Sequence, residues 1–382
     1  MLTHWETSFD TDTSLLGSRR LRCEQSLILI RRKTNKCLHC ETILMRVSDE
    51  MDGTQAKKPR RAVKRVLIGL LVLALLGAGI VWVVQDRLFS QISPLSDAMP
   101  AEAGRPTIAP ETDPNAVTVL LLGSDKRASG KIKGERSDTM MVARVAADRK
   151  SVSVISIPRD SWVEIPGHGK GKINSAFSLG GTALAVQTVE NMSGVRIDHV
   201  AVVDWGGFKD LTDALGGITV KIPKTTYDPY RKKRWVAGTH KLDGEEALLY
   251  VRQRVGLPGG DLDRVKRHQN VIRELASKTL SAGTLSNPIT VYRVLDSVTS
   301  NVEIDEGWRP GQMRSLAFSL RTLRNDDLYF ATIPVSGTGM EGKQSVVRID
   351  SAEAEKMWAA FKRDDVPGWI SAHDRALDKT VR

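Results

Sequence analysis

Val117-Thr-Val-Leu-Leu-Leu122, running into Gly123-Ser124-Asp125-Lys126-Arg127, is the stretch whose reading decides the fold. Its apolar residues do not alternate with polar ones, so it reads as a strand buried on both faces. Working outward, three further runs read as strands and end or begin in charged residues. Thr139–Val145 follows Arg136-Ser137-Asp138, Ser151–Ile157 leads into Pro158-Arg159-Asp160, and His199–Val203 ends at Asp204-Trp205. A tight turn at Gly216-Gly217 introduces a strand over Ile218–Ile222. Helices are expected over Thr182–Met192 and Leu242–Leu249. Another starts at Pro288, which suits a first helical position. Ser351–Lys362 follows a capping pair made by Asp350 and Glu353. Strands alternating with helices predict an α/β fold: a layered α/β/α domain around a central mixed β-sheet. No internal repeat is visible.

The 382-residue chain carries a net charge of +11, which suits nucleic acid, anionic lipid or a phosphorylated substrate. Topology narrows that choice. Val66–Val84 is a continuous apolar run, and at about 1.5 Å per residue it spans the ~30 Å hydrocarbon core of a bilayer. No small-residue cleavage site follows it. Lys57, Lys58, Arg60, Arg61, Lys64 and Arg65 crowd its N-terminal side. The expectation is one transmembrane helix, with residues 1–65 as a cytoplasmic disordered tail and everything after 84 outside the cell membrane. Residues 85–115, with five prolines after Ser90, read as a stalk. A catalytic domain over 116–365 and a tail over 366–382 complete the division.

An extracytoplasmic domain meets little nucleic acid, so lipid, glycopolymer and phosphate are the expected partners. All three cysteines, Cys23, Cys37 and Cys40, lie in the first 65 residues, so the domain uses no disulfide. With His39 they offer zinc-binding atoms, but their spacing fits no finger pattern. A translation start at Met45 or Met51 would leave them out altogether.

A second stretch bears on function: Leu248-Leu-Tyr-Val-Arg252-Gln-Arg254-Val-Gly-Leu-Pro-Gly-Gly-Asp261-Leu-Asp-Arg264-Val-Lys-Arg267-His-Gln269. Two arginines one residue apart end an apolar run. A Pro-Gly-Gly loop follows, and Asp261 sits where a helix N-cap is wanted. Arg264 then falls in the first turn, where the helix dipole disfavours a cation, and Arg267 projects from nearly the same face. Cations at a helix start make sense if an anion binds there, because free N–H groups and guanidinium forks both suit phosphate. The plainer reading is a solvated helix end with local Asp–Arg pairs.

In an α/β sheet, ligands gather beyond the carboxyl ends of strands. Asp125, Arg159, Asp160 and Asp204 would lie at such ends, and Asp138 just before a strand start. If strand order brings these together, Asp125 and Asp138 could hold Mg²⁺, which prefers oxygen ligands and completes its shell with water and substrate phosphate. Arg127, Arg136, Arg159, Arg252, Arg254, Arg264 and Arg267 could clamp a diphosphate with forks that stay charged when partly buried. Other sites are missing from the sequence. There is no Walker loop, no G-x-S-x-G elbow and no H-E-x-x-H. His168, His199, His240, His268 and His373 show no metal spacing. With no cysteine and no evident Ser–His pair in the domain, covalent acyl chemistry is not expected.

The ordered set Leu-Leu-Gly-Ser-Asp125, Arg136-Ser-Asp138-Thr-Met-Met, Ser-Ile-Pro-Arg159-Asp160, Lys172-Ile-Asn174, Val-Val-Asp204-Trp, Leu-Leu-Tyr-Val-Arg252-Gln-Arg254 and Gly-Gly-Asp261-x-x-Arg264-x-x-Arg267 resembles the LytR–CpsA–Psr family over roughly residues 116–280. The resemblance implies a membrane-anchored phosphotransferase that moves a glycopolymer from a polyprenyl-diphosphate carrier onto peptidoglycan. Teichoic acid, capsule and arabinogalactan are all compatible cargoes. It also implies that the matching arginines, with Lys172 and Asn174, hold the diphosphate, that Asp125 and Asp138 support Mg²⁺, and that an apolar groove takes the lipid tail. Arg159, Asp160 and Asp261 are the expected catalytic residues, with Asp160 or Asp261 taking the acceptor proton. The sequence departs from the commonest family pattern at His268, where glutamine is usual. Two other readings keep the same site: a phosphatase that uses water as acceptor, and a non-catalytic envelope regulator that binds the lipid carrier.

Overall fold

The computed structural model describes residues 87–88, 90–108, 110–124 and 137–373, without the side chains of Asp261 and Leu285. The apolar run at 66–84 and the tail before it lie outside the described residues. Among the described residues no helix is long and apolar enough to cross a membrane.

The order of elements is β1 (Ser93–Leu95), β2 (Val117–Ser124), β3 (Ser137–Val145), β4 (Val152–Ile157), β5 (Trp162–Ile165), β6 (Gly169–Lys172), α1 (Asn174–Ser193), β7 (His199–Asp204), α2 (Trp205–Ala214) and β8 (Ile218–Ile222). There follow β9 (Thr226–Asp228), β10 (Lys233–Trp235), β11 (Gly238–Leu242), α3 (Gly244–Val251), α4 (Asp261–Thr279), α5 (Ala282–Leu285), α6 (Pro288–Asn301) and β12 (Val302–Asp305). The last are α7 (Pro310–Ser319), β13 (Leu328–Thr332), β14 (Val335–Glu341), β15 (Gln344–Ile349), α8 (Ser351–Lys362) and α9 (Val366–His373).

Seven strands form one mixed sheet in the order β1-β12-β7-β2-β3-β4-β13. The strand that opened the sequence reading sits in its middle and is covered on both sides. Leu120 and Leu122 face a core built with Phe177, Val186, Met357 and Phe361 from α1 and α8. Val119 points the other way, against Ala201 and Ile304, with Met313 of α7 packed on them. Ile272 of α4 packs over Met141, Val154 and Phe330 on that second face. Helices therefore cover both faces of a buried sheet, which is why its central strands carry apolar residues at successive positions.

Several boundaries differ from the sequence reading. α1 begins at Asn174, ahead of the expected Thr182, because two helical pieces join across a kink at Gly180 and Gly181. Leu242 belongs to β11, and α3 starts after Asp243, whose side chain accepts from the Glu246 N–H at 2.8 Å. Gly216 and Gly217 both have positive φ, as a tight turn into β8 requires. The stretch expected as a stalk is partly built into the domain. β1 pairs in parallel with β12, Ala98 is buried, and Arg105 donates to the buried Glu190 carboxylate at 2.6 Å.

Candidate functional site

Sheet register decides which charged residues meet. β2 is parallel to β7, with Ser124 opposite Asp204. β2 is antiparallel to β3, with Ser124 opposite Ser137. β3 is antiparallel to β4, with Met140 opposite Ile157. The carboxyl ends of β2, β4 and β7 and the amino end of β3 therefore share one edge of the sheet, which brings Asp138, Arg159, Asp160 and Asp204 together there.

Asp138 is the focus of this edge. The Arg159 Nη1–H donates to its Oδ1 at 2.6 Å. Arg254, in the loop after α3, donates from Nη2 to Oδ1 at 2.9 Å and to Oδ2 at 2.7 Å. Burial pushes the Asp138 carboxyl up, yet Arg254 and Arg159, with Arg264 beyond them, hold it below the ordinary aspartate value. It is an ionised carboxylate between two guanidinium groups. Asp160 pairs with Lys172 at 3.0 Å, and its second oxygen lies 3.7 Å from the Arg159 Nε. The hairpin of β5 and β6 makes this possible by setting Trp162 opposite Lys172. Asn174 is buried where α1 starts, and its backbone N–H donates to the Arg159 carbonyl at 3.2 Å. Asp204 acts locally, capping α2 by accepting from the Gly207 N–H at 2.7 Å.

Beside Asp138 lies an open cleft of about 610 Å³ lined by Trp205, Arg231, Arg252, Arg254, Arg264 and His268 among others. Arg252 sits over the Trp205 ring at 5.4 Å. Arg264 is buried at the start of α4. The cap of that helix differs from the sequence reading. Gly260 occupies the cap position with φ 57°, and Asp261 is the first helical residue. Asp263 steadies the turn instead, its carboxylate accepting from the Gly259 N–H at 2.7 Å.

Arg267 does not line the cleft. Its Nη1 donates to the Tyr250 carbonyl at 3.2 Å and to the Gln253 Oε1 at 2.7 Å. Its Nη2 donates to the Thr226 Oγ1 at 2.7 Å, and the guanidinium lies 4.3 Å from the Tyr250 ring centroid. It ties down the Arg252-Gln253-Arg254 segment from behind. Trp205, quoted in the sequence only as part of a motif, lines the cleft, as do Tyr230 and Arg231, which the sequence did not single out. Tyr230 and Arg231 sit in the turn between β9 and β10, where no motif marks them. Asp125, Arg127, Arg136 and the Asp261 side chain lie outside the described residues. Among the described residues no group of three or more histidine, cysteine, aspartate or glutamate side chains is arranged to hold a metal ion.

The cleft therefore gathers Arg252, Arg254 and Arg264 beside one half-buried carboxylate, an arrangement suited to a multiply charged oxyanion. Comparison with known proteins points the same way. A family model described as the LytR_cpsA_psr family matches residues 90–363. The cell wall biosynthesis protein LcpA of Corynebacterium glutamicum is 35% identical over 280 residues, covering 62% of this chain and 53% of LcpA. The polyisoprenyl-teichoic acid–peptidoglycan teichoic acid transferase TagU of Enterococcus faecalis is 35% identical over 252 residues, covering 64% of this chain and 78% of TagU. This chain thus spans only about half the length of LcpA. Among solved structures, B. subtilis TagV aligns with a TM-score of 0.56 and 27% identity, covering 67% of this chain and 98% of TagV. TagT bound to LI-WTA aligns with a TM-score of 0.55 and 25% identity, covering 70% of this chain and 99% of TagT.

Proposed function

This chain belongs to the LytR_cpsA_psr family, and from that premise we propose that it moves a cell-wall glycopolymer from a polyprenyl-diphosphate carrier to peptidoglycan. The observation that carries the reading is Asp138 held between Arg159 and Arg254 on the rim of an arginine-lined cleft. Teichoic acid is the polymer named for the TagU relative. The apolar run at 66–84 anchors the chain in the cell membrane, N-terminus inside and domain outside, where both substrates are found.

In the proposed reaction an acceptor sugar hydroxyl attacks the phosphorus that bears the polymer. A new P–O bond forms, the P–O bond to the carrier breaks, and polyprenyl phosphate leaves. The hydroxyl proton goes to Asp160 or Asp261. Arg252, Arg254 and Arg264 bind the diphosphate and neutralise charge as it moves onto the leaving phosphate, so catalysis rests on positioning and electrostatics. Arg159 keeps the Asp138 carboxylate oriented, and Lys172 does the same for Asp160.

The donor chemistry fits Mg²⁺. Asp138 is a hard oxygen donor whose Oδ2 accepts from Arg254, and a carboxylate oxygen has lone pairs for more than one partner. Mg²⁺ is commonly held by one or two carboxylates and takes its remaining ligands from water and phosphate. Asp138 and Asp125 are the proposed ligands, and the ion would supply further neutralisation of phosphate charge.

The test uses the full chain in membranes with a polyprenyl-diphosphate-linked oligosaccharide, peptidoglycan fragments and Mg²⁺, followed by mass spectrometry. The expected product is a sugar phosphate joined to the fragment, lost in Arg159→Ala and Arg254→Ala. Free sugar phosphate as the sole product would replace this reading with hydrolysis. Carrier binding without any cleavage would leave a lipid-binding regulator.

A further inference from the structure

Four consecutive polar residues in the middle of α4, Arg267, His268, Gln269 and Asn270, are 8%, 6%, 1% and 7% exposed. Successive helical residues point about 100° apart, so four in a row cover the whole circumference. A helix turn that is polar all round and buried all round is costly unless every group finds a partner. Here each side chain reaches at least one neighbouring element. Arg267 holds the segment after α3. Gln269 donates to the Ala331 carbonyl of β13 at 2.9 Å. Asn270 donates to the Lys221 carbonyl of β8 at 3.3 Å.

His268 spans the two halves of the site. Its Nε2 lies 3.0 Å from the Val251 carbonyl, the last residue of α3 and the neighbour of Arg252. A carbonyl only accepts, so Nε2 carries the proton. Nδ1 is then an acceptor, and it receives the Thr139 hydroxyl at 2.9 Å. Thr139 follows Asp138 in β3. The imidazole is neutral: burial, followed by the nearby Arg264 charge, lowers its pKa to about 4. One rigid ring thus sets the spacing between the strand that carries the carboxylate and the helix end that carries the arginines.

We propose that His268 is a positioning residue for the phosphotransfer site, holding the Asp138 strand and the Arg252–Arg254 arm in register through Thr139 and Val251. The inference rests on the transferase reading for its turnover measurement, but diphosphate binding reads it independently.

Three variants of the full chain test it. His268→Gln can still donate to Val251 and accept from Thr139. His268→Leu fills similar space with neither bond. Thr139→Val removes only the hydroxyl. Turnover, KM, melting temperature and the Kd for farnesyl diphosphate with Mg²⁺ would be measured for each. A misaligned charged contact is worth roughly ten- to a hundredfold. On that scale His268→Leu should lower kcat about a hundredfold and Thr139→Val about tenfold, with Thr139→Val melting as the parent does. His268→Gln should stay within about threefold of the parent, since both bonds survive. Parental kcat in His268→Leu would overturn the proposal, as would a Gln variant as poor as Leu at equal stability. If His268→Leu does not fold, Thr139→Val decides, and a parental rate there overturns it. If the parent transfers nothing, the function is misread. The Kd then decides for His268: weaker binding in Thr139→Val supports the role, and an unchanged Kd ends it.

Discussion

Arg254→Ala separates a binding residue from a structural one. Arg254 is half exposed, its side chain 51% accessible, and it contacts Asp138 at 2.7 and 2.9 Å. Asp138 also pairs with Arg159 at 2.6 Å, a contact that the substitution does not remove. An ion pair with one partner this exposed contributes at most about 1 kcal/mol to folding. With a diphosphate in the cleft the same guanidinium would make charge-assisted contacts worth roughly 1.5–3 kcal/mol. The variant should therefore weaken farnesyl diphosphate binding about ten- to a hundredfold, while urea unfolding moves by less than about 1 kcal/mol. Arg254→Lys keeps the charge and loses the fork, so its affinity should fall in between. Titration calorimetry with Mg²⁺ and equilibrium unfolding on the same preparations give both numbers. An unchanged Kd beside a clear stability loss would refute the reasoning and make Arg254 a partner of Asp138 alone.

Four further outcomes follow from the same geometry. Arg267→Ala leaves the buried Gln253 and Thr226 without their guanidinium partner, and should cost roughly 3 kcal/mol in urea unfolding. A cost below about 1 kcal/mol would show that Arg267 does not brace the arm. Gly123→Ala places a Cβ 2.9 Å from that of Thr139, so the strand beside Asp138 must shift and diphosphate affinity should drop about tenfold; an unchanged Kd would mean the edge is slack. Arg105→Ala strands the fully buried Glu190 carboxylate, and about 3–5 kcal/mol of stability should disappear by the same assay. The folded-state pKa of His268 is depressed to about 4 from 6.5, so the unfolded state takes up a proton first as pH falls. Stability should therefore decline from pH 6.5 towards 4, by up to about 3 kcal/mol, and His268→Gln should lack that part of the decline.

The sheet was legible because its central strands have to be apolar on both faces. Val117–Leu122 and Ser151–Ile157 declare that locally. β13 and β15 were not read, and their burial patterns show why: Leu328–Thr332 has two buried positions and Gln344–Ile349 two. β1 is three residues of Ser-Pro-Leu that become a strand only because β12 offers them an edge. The same limit applies to the cap of α4. An aspartate after two glycines is a fair N-cap signal, but Gly260 takes the positive-φ position and Asp263 supplies the carboxylate. Arg267 looked like Arg264 in sequence because both lie three residues apart on one helix. Their fates diverge through Gln253, whose amide faces Arg267 and reaches the Tyr227 and Val255 carbonyls at 3.1 and 2.8 Å.

What no local pattern carries is the pairing of Asp138 with Arg254, 116 positions apart. That contact depends on β3 running antiparallel to β2, which turns the start of one strand towards the ends of its neighbours. It depends equally on α4 lying across the sheet with a buried polar turn that fixes where α3 stops. Either condition alone would leave a carboxylate without its second guanidinium. His268 lies between strand and helix, its ring nitrogens 2.9 Å from the Thr139 hydroxyl and 3.0 Å from the Val251 carbonyl. The geometry of this edge is therefore as much a property of Thr139, Val251 and His268 as of the charged residues that meet there.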